Sequence, residues 1–176
     1  MKQVQSSNIL NESALRSLVA SSVNKCRSIK NADKVDVRYT INYVNEYKGN
    51  ADQVSLILDN IISNGIKYQS KDVKNPYVDV FIASTPQKLK IKVLDNGIGM
   101  DIDENENIQL SMANDRKKDS HKKLGLYIVN EILQKNRGSF FVESVKNSGT
   151  MVLIELPNVM NSNNKNFNRY EHNNNN

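Results

Sequence analysis

The chain has 176 residues, of which 38% are hydrophobic and 24% charged, with a net charge of +5. That suits one packed domain with a polar appendage. No run approaches the roughly 18 apolar residues needed to cross a bilayer, the first residues lack the apolar core of a signal peptide, and the lone Cys26 can form no internal disulfide. The cytoplasm is therefore the expected compartment, with no membrane contact by this chain. The basic residues are scattered apart from a concentration at 116–123, and no aromatics interleave with it, which argues against a nucleic-acid platform.

In chain order, residues 12–30 carry Leu15, Leu18, Val19, Val23 and Cys26 at three- and four-residue steps, predicting an amphipathic helix capped by Asn11 or Ser13. Residues 35–43 alternate apolar and polar and predict a strand. A polar turn near Lys48 and Gly49 leads to a second helix over 51–69, apolar over a wide arc and hence largely buried. Strands over 77–82 and 89–94 are joined as a hairpin through 84–87. Residues 101–123 are polar, and so long a connection in a compact domain points to a functional lid. Helical periodicity resumes from Gly125 and stops at Gly138, and strands over 139–145 and 150–156 follow. Beyond Pro157, ten of nineteen residues are asparagine, and a disordered tail over 158–176 is expected. The order predicts a two-layer α/β sandwich, with a mixed, mostly antiparallel sheet and helices on one face.

Two segments carry the chemistry. Asn60, Asn64 and Lys67 recur at helical spacing, which lines two carboxamides and an ammonium along one helix face. Asparagine inside a helix is disfavoured by a few tenths of a kcal/mol and Gly65 by roughly 1 kcal/mol, so both need a reason. Two amides bonding each other would be the structural alternative. Gly65 would be tolerated where something packs closely, such as the glycines of the next loop. Asp95, Gly97 and Gly99 directly follow a strand. A carboxylate there can accept from an exocyclic amine, and glycines let a backbone lie flat against a ring. Together the segments suggest a nucleotide with its magnesium.

These residues resemble the ATP-binding catalytic domain of sensor histidine kinases, within the wider family of gyrase, heat-shock protein 90 and the mismatch-repair ATPases. The resemblance covers residues 12–157 and implies the Bergerat-type sandwich with a flexible ATP lid. Residues 52–68 resemble the asparagine box. The resemblance implies magnesium on Asn64, the box's first asparagine at Asn60, and phosphate and nucleotide contacts from Lys67 and Tyr68. Asp95, Gly97 and Gly99 resemble the first glycine box, whose aspartate recognises adenine. Gly125 and Leu126 lie in a stretch similar to the second glycine box, and Thr150 in one similar to the closing strand.

The chain departs from the family pattern at three points. His121, Lys122 and Lys123 stand where two glycines are usual, so Lys122 or Lys123 would supply charge in place of backbone donors. The 101–123 segment has no phenylalanine, and Gly65 stands where alanine is usual. The only histidines are His121 and His172, neither in a helical, dimer-forming context. The implied reaction is transfer of the ATP γ-phosphoryl group to a histidine on a separate helical dimerisation domain, as in two-component signalling with a response regulator downstream. This chain is expected to hold the ATP-binding half alone, as a monomer. The alternatives are a degenerate nucleotide- or partner-binding module and, more weakly, an anti-sigma-type serine kinase. The gyrase-like branch places a glutamate base where this chain has Asn60. Asp59 is adjacent but about a hundred degrees away around the helix, so water activation is poorly equipped.

Overall fold

The computed structural model describes residues 8–100 and 120–158. A short strand β1 (Asn8–Leu10) leads into helix α1 (Glu12–Lys25). The cap of α1 is Asn11, whose side chain accepts from the Ala14 N–H, and Glu12 in the first turn pairs with Arg16. The helix stops five residues short of the expected end. Its tail tightens into a 3₁₀ turn, Cys26–Ser28, with Cys26 buried and its thiol pKa pushed up by that burial.

Strands β2 (Asp36–Tyr43) and β3 (Tyr47–Gly49) follow, then helix α2 (Ala51–Lys67). The expected polar turn near Lys48 is in fact β3, which pairs antiparallel with β1 in a two-stranded ribbon. Three residues are too few for a visible alternation, and the partner lies about forty residues upstream. β4 (Tyr77–Ser84) and β5 (Lys88–Asp95) form the expected hairpin. Helix α3 (Ser120–Lys135) and the hairpin of β6 (Ser139–Val145) and β7 (Gly149–Pro157) complete the fold. Of the lid expected at 101–123, residues 120–123 are instead the first turn of α3, which places His121 in a helix, and 101–119 lie outside the described residues, as does the expected tail beyond Asn158.

The main sheet runs β2-β4-β5-β7-β6. Only β2 and β4 are parallel, with α2 as their crossover, and the other pairs are antiparallel. One face is buried under the helices by Val78, Val80, Ile82, Leu89, Ile91, Val93, Val152, Ile154 and Leu156. The other carries Arg38 paired with Asp79, Lys88 paired with Glu155, and exposed Phe81 and Phe141. This is the mixed α/β sandwich that the element order predicted.

Helix α2 lies at the centre. It buries Val54, Ile57, Leu58, Ile61, Ile62 and Ile66, each contributing about 1.5–3 kcal/mol. That sum outweighs the unfavourable intrinsic propensities of Asn60, Asn64 and Gly65. The C-terminus of α3 also differs from expectation: the left-handed residue is Arg137 (φ 55°), not Gly138. Gly138 sits one position later, where its N–H reaches Leu133 O at 2.8 Å and a Cβ would meet Glu155 O. Packing also continues one residue past Pro157. Asn158 is buried; it accepts from the Lys48 N–H and donates to Glu46 O and Thr85 O.

Candidate functional site

At one end of the buried face, register brings Val78, Asp95, Thr150 and Ser144 into a single row across β4, β5, β7 and β6. Helix α2 crosses above this row at Gly65. A Cβ there would lie 3.0 Å from Val78 Cγ2 and 3.6 Å from Asp95 Cβ. The close neighbours of Gly65 are therefore the strands, not the glycines of the following loop. Asp95 accepts from the Gly97 N–H at 2.8 Å, and the Thr150 N–H of the neighbouring strand favours its charged form. Burial pushes its pKa from the ordinary 3.8 up to about 6, while those two N–H groups pull the other way. An acceptor-only carboxylate held so firmly at the end of a strand is suited to receive an N–H from a ligand.

The turn after Asp95 is clamped from two sides. Ile98 N–H donates to Tyr68 O at 2.9 Å, and a Cβ on Gly97 would collide with that same carbonyl. On the other side Asn147 N–H donates to Ile98 O at 2.7 Å, and Met100 N–H donates to Ser144 Oγ at 2.8 Å. Gly99 (φ 61°) lies against Val145 O and Gly149 (φ 111°) against Asp95 O, both in the left-handed region and both too close to backbone for a side chain.

The second cluster lies along α2. Asn60 and Asn64 do not bond each other. Asn60 Nδ2 donates to Leu56 O one turn back at 2.6 Å, and Asn60 Oδ1 fits beneath α3, 2.8 Å from where a Gly125 Cβ would stand. The half-buried Asn64 amide makes no hydrogen bond among the described residues, and Lys67 is exposed in the last turn. Tyr68 is half-buried and caps the helix, and its carbonyl receives the Ile98 N–H. Asp59 faces α1, bonded to Ser22 Oγ at 2.6 Å and Lys25 Nζ at 2.7 Å.

Of the remaining expected site residues, Leu126 packs against the core. The side chains of Lys122 and Lys123 lie outside the described residues. Two residues that hold the site together were not singled out in the sequence. Ser144 hides in an alternating strand and is found only by pairing β6 with β7. The half-buried Gln69 donates to Gly65 O at 2.7 Å and Tyr77 O at 3.2 Å, tying the end of α2 to β4.

Among the described residues no group of three or more His, Cys, Asp or Glu comes together that could hold a metal ion. The fitting donor is instead the uncommitted oxygen of Asn64, a hard neutral ligand of the kind that accompanies phosphate oxygens and water around magnesium.

Three comparisons bear on this geometry. Sensor protein kinase WalK of Staphylococcus aureus is 31% identical over 113 residues, covering 60% of this chain and 26% of that protein. The chain thus spans about a quarter of the length of that curated relative, and 18% of a longer version from strain JH9. A solved mycobacterial sensor histidine kinase, MprB, shares the fold with a TM-score of 0.67 at 16% identity, over 86% of this chain and 97% of that one. Full-length ShkA in complex with AMPPNP superposes with a TM-score of 0.68 at 14% identity, over 87% of this chain and 31% of that one. Residues 49–160, which contain α2, the Asp95 turn and the closing hairpin, match the family described as histidine kinase-, DNA gyrase B- and HSP90-like ATPase, and the chain belongs to that family.

Proposed function

We propose that this chain is the ATP-binding catalytic half of a sensor histidine kinase, acting on a histidine carried by a separate helical dimerisation domain. The observation that carries the reading is Asp95. It is a half-buried acceptor at the end of a strand, held by the Gly97 N–H, and its glycine turn packs firmly against the backbone on both sides. The adenine amine would donate to its carboxylate. Asn64 would hold magnesium alongside the phosphates, with Lys67 at the phosphate end of the same helix face. Magnesium, when bound, would neutralise charge developing on the transferred phosphoryl group. The bond from the β–γ bridging oxygen to the γ phosphorus would break, leaving ADP. A bond from that phosphorus to the acceptor imidazole nitrogen would form, its proton passing to a base on the partner.

Direct hydrolysis is poorly equipped. Asn60 cannot act as a base, and the Asp59 carboxylate is committed to Ser22 and Lys25 on α1. The His121, Lys122, Lys123 stretch in place of glycines favours one second reading, a nucleotide-binding module without transfer. Calorimetry of the full chain with ATP and ADP, with and without magnesium, tests the first. Wild-type binding strengthened by magnesium should lose its magnesium dependence in Asn64→Ala and fall at least a hundredfold in Asp95→Asn. Phosphoryl transfer to a histidine-bearing helical hairpin then separates kinase from module. Absence of nucleotide binding at millimolar concentration would sink both.

A further inference from the structure

The sheet face turned away from the helices takes no part in the candidate site. Register lays Phe81, Lys92, Leu153 and Phe141 in one row across β4, β5, β7 and β6. The next row along these strands is Asp79, Leu94, Met151 and Glu143. Phe81 is 42% exposed, Phe141 56%, and Val145, one row further along β6, 58%. A sheet face in contact with water ordinarily carries polar side chains. The middle of this one is apolar.

The charges of the same face are paired, with two left over. Arg38 pairs with Asp79 and Asp36, and Glu155 with Lys88 and Lys90. Lys92 and Glu143 form no ion pair among the described residues. Lys92 instead lies over the Phe81 ring, 6.0 Å from its centroid. The two stand on either side of β7 and one row apart, with Leu153 and Met151 between them. A face that keeps one unpaired cation and one unpaired anion is complementary to itself. A two-fold axis lying in the plane of the face, diagonal to β7 between Leu153 and Met151, carries Lys92 onto Glu143 and Glu143 onto Lys92. Two copies would therefore form the pair twice. In flat projection, with strands about 4.8 Å apart and residues about 3.4 Å apart along them, the same axis brings Phe81 close to Val145 and Leu94 close to Met151. The strands of the two sheets then cross steeply, nearer the orthogonal class of sheet packing than the aligned one.

We propose that this outer sheet face is a contact between two copies of the chain, which form a reversible two-fold dimer in place of the expected monomer. Four strands by three rows amount to roughly 300 Å² of face per copy, against about 800 Å² per partner in a standard stable interface. The dimer is therefore weak, with a Kd expected between about 10 μM and 1 mM. Asp95 and the asparagines of α2 lie on the helix side of the sheet and stay uncovered. Dimerisation and nucleotide binding thus stand or fall separately.

Sedimentation equilibrium of the full chain, up to about 1 mM, reads the Kd directly. Wild type should show a concentration-dependent monomer–dimer equilibrium. Lys92→Glu sets two carboxylates against each other at both ends of the contact and should raise the Kd at least about tenfold. Glu143→Lys should do the same with two ammonium groups. The double exchange rebuilds the pair with its sign reversed, so its Kd should return to within about threefold of wild type. Lys135→Glu, the same charge change at the end of α3, should leave the Kd unchanged. Phe141→Ser should weaken the dimer as Lys92→Glu does, and it serves should the charge variants show lowered urea midpoints. A wild-type chain that stays monomeric at every concentration overturns the proposal. So does a dimer that survives both single exchanges, or a double exchange no tighter than the weaker single, since either places the contact on another face.

Discussion

The two ends of the site are built differently. The Asp95 end is made of strands and turns: Asp95, Thr150 and Ser144 share one row, and Gly97, Gly99 and Gly149 press against backbone carbonyls. The asparagine end is made of side chains on one helix, backed by a close approach of α3 at Gly125. Backbone cannot rotate away from a collision, whereas a carboxamide can. On the proposed reading, a base of fixed shape would be met by rigid parts, while the phosphates would meet groups able to adjust.

That contrast can be broken by substitution. The largest effect is expected at Gly149→Ala. Its φ of 111° and its contact with Asp95 O leave no room for a methyl group. The chain should lose roughly 3 kcal/mol of stability, read as a lower urea midpoint, together with its nucleotide affinity.

Next comes pH. Asp95 has a folded pKa of about 6 against an ordinary 3.8, so the folded chain binds its proton more readily than the unfolded chain. Without ligand, this group makes the protein more stable as pH falls from above 6 toward 4. ATP affinity should move the opposite way, because the amine needs the ionised carboxylate. It should drop about tenfold per pH unit below roughly 6. A flat ATP affinity between pH 5 and 8 would separate Asp95 from base recognition.

The smallest effect belongs to the adjustable end. Gly125→Ala should push the Asn60 amide off Leu56 O and weaken ATP binding about threefold to tenfold, an order-of-magnitude expectation for one displaced hydrogen bond. Asn60→Ala in the same chain should recover most of that loss, since the methyl group then has room. Additive losses in the double variant would mean that Asn60 touches the nucleotide directly.

Much of this was legible in the sequence because it is local. The helix face bearing Asn60, Asn64 and Lys67, and the strand ending at Asp95, follow from periodicity within one element. The β3 strand, the Arg137 cap and Ser144 were not legible, each for a physical reason. β3 gains its partner from a distant segment. Arg137 is held in a left-handed conformation because Gly138 is needed elsewhere, against Glu155. Ser144 acquires meaning only from the register that sets it beside Thr150. Asn60 was legible as a residue needing a reason, but not the notch in α3 that receives its oxygen.

Asn158 gives the fold a particular geometry of attachment. Its side-chain oxygen receives the N–H of Lys48, and Lys48 is the register partner of Ile9. The first and last described stretches of chain therefore converge on one three-residue strand. A domain whose entry and exit share a doorway can turn as a unit about that point without tearing its sheet.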